Sequence, residues 1–190
     1  MRLVALSLVL SASLLGYVPG GPEVDREEAR SAFELVNLIR KDPKAYSQRL
    51  KFSPIQVVAR PALRWNDTLA LAAERKALDM ARRNYYAHVD PDGFGMNHYI
   101  QLAGYELDPR WLKNPEENNF ESIHSGIADA VQLIEEMIID AQVPSKGHRH
   151  HLLGVGEWNA SLVDIGIGFV HADSTADWPT YACVLIAKHK

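Results

Sequence analysis

Apolar residues first recur with a helical period at Ala29, Ala32, Phe33, Val36 and Ile39. That spacing predicts an amphipathic helix, opened by a capping-box-like Asp25…Glu28 and closed at Asp42-Pro43. Residues 44–50 add a further turn, and residues 54–63 form a connection carrying Ile55, Val57 and Val58. The strongest helical stripe follows: Leu69, Ala72, Ala73, Lys76, Ala77 and Met80 line one face as far as Arg83, with Asp67 as the cap. Its alanines permit close approach of whatever packs there. After the aromatic pair Tyr85-Tyr86 and His88 comes a turn, then a short helix over 97–103 that stops at Gly104. Residues 105–119 are polar and irregular, suited to the rim of a groove. Another helix spans 127–140, with Ala130, Val131, Ile134, Met137 and Ile138 facing inward.

Near the C-terminus the period changes. Residues 164–170 read as a strand whose Gly166 and Gly168 let a neighbouring backbone come close. Residues 172–179 form a loop, and 181–187 a returning strand that is apolar on both faces and therefore covered on both sides. Helices on both sides of a small sheet define the fold class: α+β, a three-layer α–β–α sandwich with a small, mostly antiparallel sheet between helices.

Composition narrows the function. A chain of 190 residues fits one compact domain, and a net charge of −4 provides no basic field for nucleic acid. Arg2 followed by the apolar run 3–15 predicts a secretory signal peptide over residues 1–20, with a Gly/Pro linker over 21–28 and the folded domain over 29–190. The run is too short for a comfortable membrane span, so the mature chain is expected to be secreted, extracellular or periplasmic, without a stable membrane span. The single cysteine, Cys183, excludes an internal disulfide and sits in the last strand as a small hydrophobe.

Histidine carries the candidate chemistry. Within Pro144-Ser145-Lys146-Gly147-His148-Arg149-His150-His151-Leu152-Leu153-Gly154, three of the eight histidines fall in four residues. A helical turn starting near His148 puts His148 and His151 on one face. Imidazoles of this kind serve a metal site, acid–base chemistry or a polar turn, and the stretch alone leaves all three open.

Four pieces in order resemble the CAP superfamily (cysteine-rich secretory, antigen and pathogenesis-related proteins; SCP-like extracellular proteins) in its bacterial type. They are Tyr86-Ala87-His88, Asn119-Phe120-Glu121-Ser122-Ile123, the helix ending Met137-Ile138-Ile139-Asp140, and Gly147-His148-Arg149 with Leu152-Leu153. The resemblance implies an α–β–α sandwich and a central cavity of two histidines and two acids: His88, Glu121, Asp140 and His148, with Glu136 as the alternative second acid. Phe120 and Ser122 replace the family's usual glycine and asparagine beside Glu121. The implied metal ligands are His88 and His148, with His151 and Glu136 in reserve, for Zn²⁺ or another divalent ion. The family's associations imply a binding module for a small apolar ligand, such as a lipid or sterol, or for an envelope component. The alternative is a metal-assisted extracellular hydrolase of peptide or cell-envelope material. No catalytic residue is assigned, since neither Gly-x-Ser-x-Gly nor His-Glu-x-x-His occurs.

Overall fold

A computed structural model describes residues 20–54 and 57–189. The predicted signal segment, apart from Gly20, and Ile55 of the connection lie outside the described residues. The elements run β1 (Glu23–Val24), α1 (Arg26–Lys41), α2 (Pro43–Leu50), β2 (Arg64–Trp65), α3 (Asp67–Arg83), α4 (Met96–Leu102), a 3₁₀ turn (Pro109–Leu112), β3 (Glu121–Ser125), α5 (Ala130–Ile139), α6 (Gly147–Leu153), α7 (Gly156–Ala160), β4 (Asp164–His171) and β5 (Thr180–Ala187).

The sheet runs β1-β4-β5-β3, with β2 also beside β4. Every pairing is antiparallel except β2 with β4. Strands β4 and β5 are buried almost throughout, as the unbroken apolar run of β5 requires. One face takes α3. A Cβ on Gly166 would lie 2.1 Å from the Ala70 nitrogen, and one on Gly168 would lie 2.4 Å from the Ala73 carbonyl carbon. Two glycines facing a run of alanines thus let helix and sheet backbones touch. On the other side α1 packs across β4 and joins α5 and α6 in the second helical layer. The α–β–α sandwich expected from the hydrophobic pattern is the architecture observed.

The caps explain the helix boundaries. Asp25 accepts from the backbone N–H of Glu27 and Glu28. The reciprocal arm of a capping box does not form. Glu28 instead reaches across to the Ala130 N–H at the start of α5, 2.7 Å away, and so ties two helices of one layer together. For α3 the cap is Asn66 rather than Asp67: Asn66 has the extended backbone a cap needs and accepts from Leu69 N–H at 3.0 Å. Asp67 becomes the first helical residue and accepts from the Trp65 indole. Helix α5 starts at Ala130, after the Asp129 cap, three residues later than its apolar pattern predicts.

Candidate functional site at the edge of the sheet

Strand β3 is the last strand of the sheet, and alternation divides its residues between the two faces. Glu121 pairs with Leu185 and Ile123 with Cys183, the side on which Gly168 meets α3. Ser122 and His124 point to the opposite, α1–α5–α6, side. Two histidine–carboxylate pairs approach the strand, one involving each side.

The first pair joins His88 Nδ1 to Glu121 Oε2 at 2.7 Å. The Glu121 side chain is fully buried, whereas that of His88 is 52% exposed. Asn118 donates to the same carboxylate oxygen at 2.8 Å, and the Cys183 thiol lies 3.5 Å from the other. A carboxylate only accepts, so the contact assigns the His88 proton to Nδ1 and leaves Nε2 facing outward. The loop bearing His88 is gripped from beneath by Lys76. Its buried ammonium donates to the carbonyls of Ala87 (2.8 Å) and His88 (3.1 Å) and to the Tyr85 hydroxyl. Tyr86 donates to the Ile123 carbonyl at 2.9 Å, fastening the same loop to the strand edge.

The second pair joins His148 Nδ1 to Asp140 Oδ1 at 2.9 Å, again with the carboxylate buried. Asp140 caps α5 in the left-handed region at φ 51°, a conformation Asp tolerates better than most residues. Arg149 donates to the last carbonyls of α5, Ile138 and Ile139, and Lys146 to the carbonyl of Asp140. These cations satisfy the helix C-terminus. The second acid in contact with His148 is therefore Asp140; Glu136 is exposed one turn earlier.

His151 turns inward. Its Nδ1 is 2.8 Å from Ser122 Oγ, and its buried Nε2 has no partner among the described residues. Burial above all, with the nearby Arg40 charge acting the same way, depresses its pKa to about 4, so it is neutral at pH 7. His124 is also lowered, chiefly by burial, and its Nδ1 has no hydrogen-bond partner among the described residues.

The departures from the family motif now have physical roles. Phe120 is fully buried against Trp111 and Trp158, and Ser122 supplies the partner for His151. Lys76 and Asn118 were not singled out from the sequence as site residues. Lys76 did leave a signal, a cation on the apolar stripe of α3. Asn118 left none.

The donor chemistry suits a metal in part. An imidazole whose Nδ1 is held by a carboxylate and whose Nε2 is free is the usual form of a metal-ligating histidine. Among the described residues, however, no group of three or more His, Cys, Asp or Glu is arranged to hold a metal ion. The residues present therefore do not make a closed structural site.

The sequence matches the CAP family, described as the cysteine-rich secretory protein family, over residues 33–185. The chain belongs to this family. It is a CAP domain without the disulfides that the description suggests, since Cys183 is alone and buried. Among solved structures it is similar to an extracellular protein containing an SCP domain from Bacillus anthracis (21% identity, TM-score 0.52), over 86% of this chain and 41% of that one. It is also similar to an outer surface protein of Borrelia burgdorferi (15% identity, TM-score 0.55), over 89% of this chain and 98% of that one. The chain thus spans about two-fifths of the Bacillus protein, and at these identities the likeness concerns the fold. No curated protein matches the chain.

Proposed function

We propose that this CAP domain is a secreted binding module whose ligand site is the open edge at β3, and that a divalent metal such as Zn²⁺ is held there by Nε2 of His88 and His148. One observation carries the reading. Both histidines are pinned through Nδ1 by buried carboxylates, Glu121 and Asp140, leaving the second nitrogen uncommitted. With two imidazoles and water as ligands, affinity is modest and the ion remains open to an anionic or carbonyl group of a ligand. Secretion accords with the family's description and with the extracellular Bacillus relative. No helix among the described residues is long and apolar enough to cross a membrane.

A metal-assisted hydrolase would draw on the same two histidines, and a serine nucleophile adds nothing to it. The hydroxyl that does contact a histidine, that of Ser122, belongs to a residue only 2% exposed, so substrate has poor access to it. Titration of Zn²⁺ into metal-stripped protein tests the proposal. Saturable one-to-one heat that is abolished in His88→Ala/His148→Ala is the expected result, and heat unchanged in the double variant refutes it.

A further inference from the structure

Among the described residues three large aromatic side chains are exposed, Tyr86, Trp158 and Trp178. Two of them, Tyr86 and Trp178, each 45% exposed, are fixed to the same end of β3. The Tyr86 hydroxyl donates to the Ile123 carbonyl, and burial of that end pushes its pKa up to about 12, which keeps it a donor at neutral pH. The Trp178 ring lies over Gly126, just past the strand: a Cβ there would meet Cε3 at 3.1 Å and Cζ3 at 3.6 Å. The loops that carry the two rings are joined. Asn84, two residues before Tyr86, accepts from the backbone N–H of Asp177 at 2.8 Å and from the Tyr181 hydroxyl of β5 at 3.3 Å. The rings are therefore in place before any ligand arrives, which spares the cost of ordering a binding surface.

Layout and surroundings fix the ligand class. The anchor points, Ile123 and Gly126, are three residues apart on an extended chain, about 10 Å, so the rings make a row rather than a cage around one point. A row suits a ligand that repeats flat faces along its length. The polar groups beside it accept rather than donate. Asp177 is exposed and forms no ion pair among the described residues. His88, at the head of the row, leaves Nε2 free, and the Tyr86 hydroxyl proton is already given to Ile123. Acceptors of this kind call for a ligand rich in hydroxyl donors. A proline-rich peptide also stacks on aromatic rows, but the groups it offers are carbonyls, which need donors.

We propose that the Tyr86–Trp178 row binds a linear β-linked glycan, with one sugar ring stacked on each aromatic face and sugar hydroxyls donating to the Asp177 carboxylate. A β-linked chain is an extended ribbon whose apolar sugar faces lie along one line; an α-linked chain coils and presents them in different directions. Stacking removes both the aromatic faces and the C–H faces of the sugars from water, and each hydroxyl given to a carboxylate makes a charge-assisted bond. The proposal extends the reading of the β3 edge as the ligand site, and it needs no metal.

The test titrates cellotetraose, chitotetraose, maltotetraose and glucose into the metal-stripped full chain, followed by NMR of the tryptophan indole and tyrosine ring signals. At least one of the two β-linked tetramers is expected to saturate a single site, moving the Trp178 indole and Tyr86 ring signals along one curve while those of Trp65 stay in place. Glucose and the α-linked maltotetraose should bind at least about tenfold more weakly, the loss expected when one of two stacking contacts is unmade. Trp178→Ala should weaken the tetramer by about the same factor. Tyr86→Phe, which keeps the ring, should weaken it far less than Tyr86→Leu. No saturation by either β-linked tetramer, equal binding of glucose and tetramer, binding untouched by Trp178→Ala, or tighter binding of a proline-rich decapeptide at the same signals would each overturn the proposal. Because these titrations contain no metal, their outcome is independent of the Zn²⁺ titration that decides the histidine site.

Discussion

Replacing Gly168 by alanine isolates the feature that sets the distance between α3 and the sheet. The new Cβ would lie 2.4 Å from both the Ala73 carbonyl carbon and the Glu74 nitrogen, where ordinary contact begins at 3.4 Å. The neighbours are backbone atoms inside a 17-residue helix, so no rotamer change relieves the clash. The helix must withdraw by about 1 Å, opening gaps along a close-packed layer. Overpacking of this kind costs about 1–3 kcal/mol and sometimes more; with three backbone atoms inside 3.0 Å, the third being the Ala73 carbonyl oxygen at 2.5 Å, the upper end, about 3 kcal/mol, is expected. For a domain of this size that lowers Tm by about 6–12 °C. Urea unfolding followed by tryptophan fluorescence measures the loss. Gly147→Ala serves as the control, since its Cβ would meet only Ser145 Oγ at 3.6 Å and its cost should stay within about 0.5 kcal/mol. A Gly168→Ala loss below about 1 kcal/mol would refute the packing argument.

Lys76→Met keeps the stem of the side chain but removes the donors to Ala87 and His88. A loss of about 1–3 kcal/mol is expected, together with weaker Zn²⁺ binding in calorimetry as the His88 loop loosens; unchanged metal affinity would show that Lys76 does not position His88. His151 makes folding sensitive to acid. Its folded pKa of about 4 lies below the ordinary 6.5, so the unfolded chain binds the extra proton first. Its share of stability is complete above about pH 6.5 and is lost as pH falls toward 4, amounting to roughly 2–3 kcal/mol. In His151→Gln, urea midpoints measured from pH 7 to 4 should fall less steeply than in the unaltered chain. Asp140→Asn should leave α5 capped in its left-handed turn yet weaken the hold on His148, reducing metal affinity more than stability.

How much of this was legible in the sequence depended on whether one physical signal dominated each segment. Helices α1 and α3 and strands β4 and β5 declared themselves because their burial is nearly complete on the core side and leaves an unbroken period. Strand β3 did not. Four of its five residues, Glu121, Ser122, His124 and Ser125, are polar, since the site's chemistry occupies positions that a core strand would fill with Val or Ile. The two-residue strands β1 and β2 are too short to carry a period, and α7, opening on Gly156, has no buried face. Within the site, the choice of Asp140 and His148 came from the resemblance to the CAP motifs, which left Glu136 as the alternative acid; the contact spans eight residues from the end of α5 into α6 and no helical period encodes it. Ser122 and His151 are 29 residues apart and meet only because β3 is paired in one particular register with β5. No local pattern encodes that pairing.

The central claim is that His88 and His148 present free Nε2 atoms to a shared divalent ion. The most direct measurement is long-range ¹H–¹⁵N NMR of the imidazole nitrogens during Zn²⁺ addition. The account predicts protonated Nδ1 in both rings before metal, and both Nε2 resonances moving together along one saturation curve while those of the buried His151 do not follow it. Zn²⁺ that leaves both Nε2 resonances in place, or moves only those of His150 and other histidines, would contradict it.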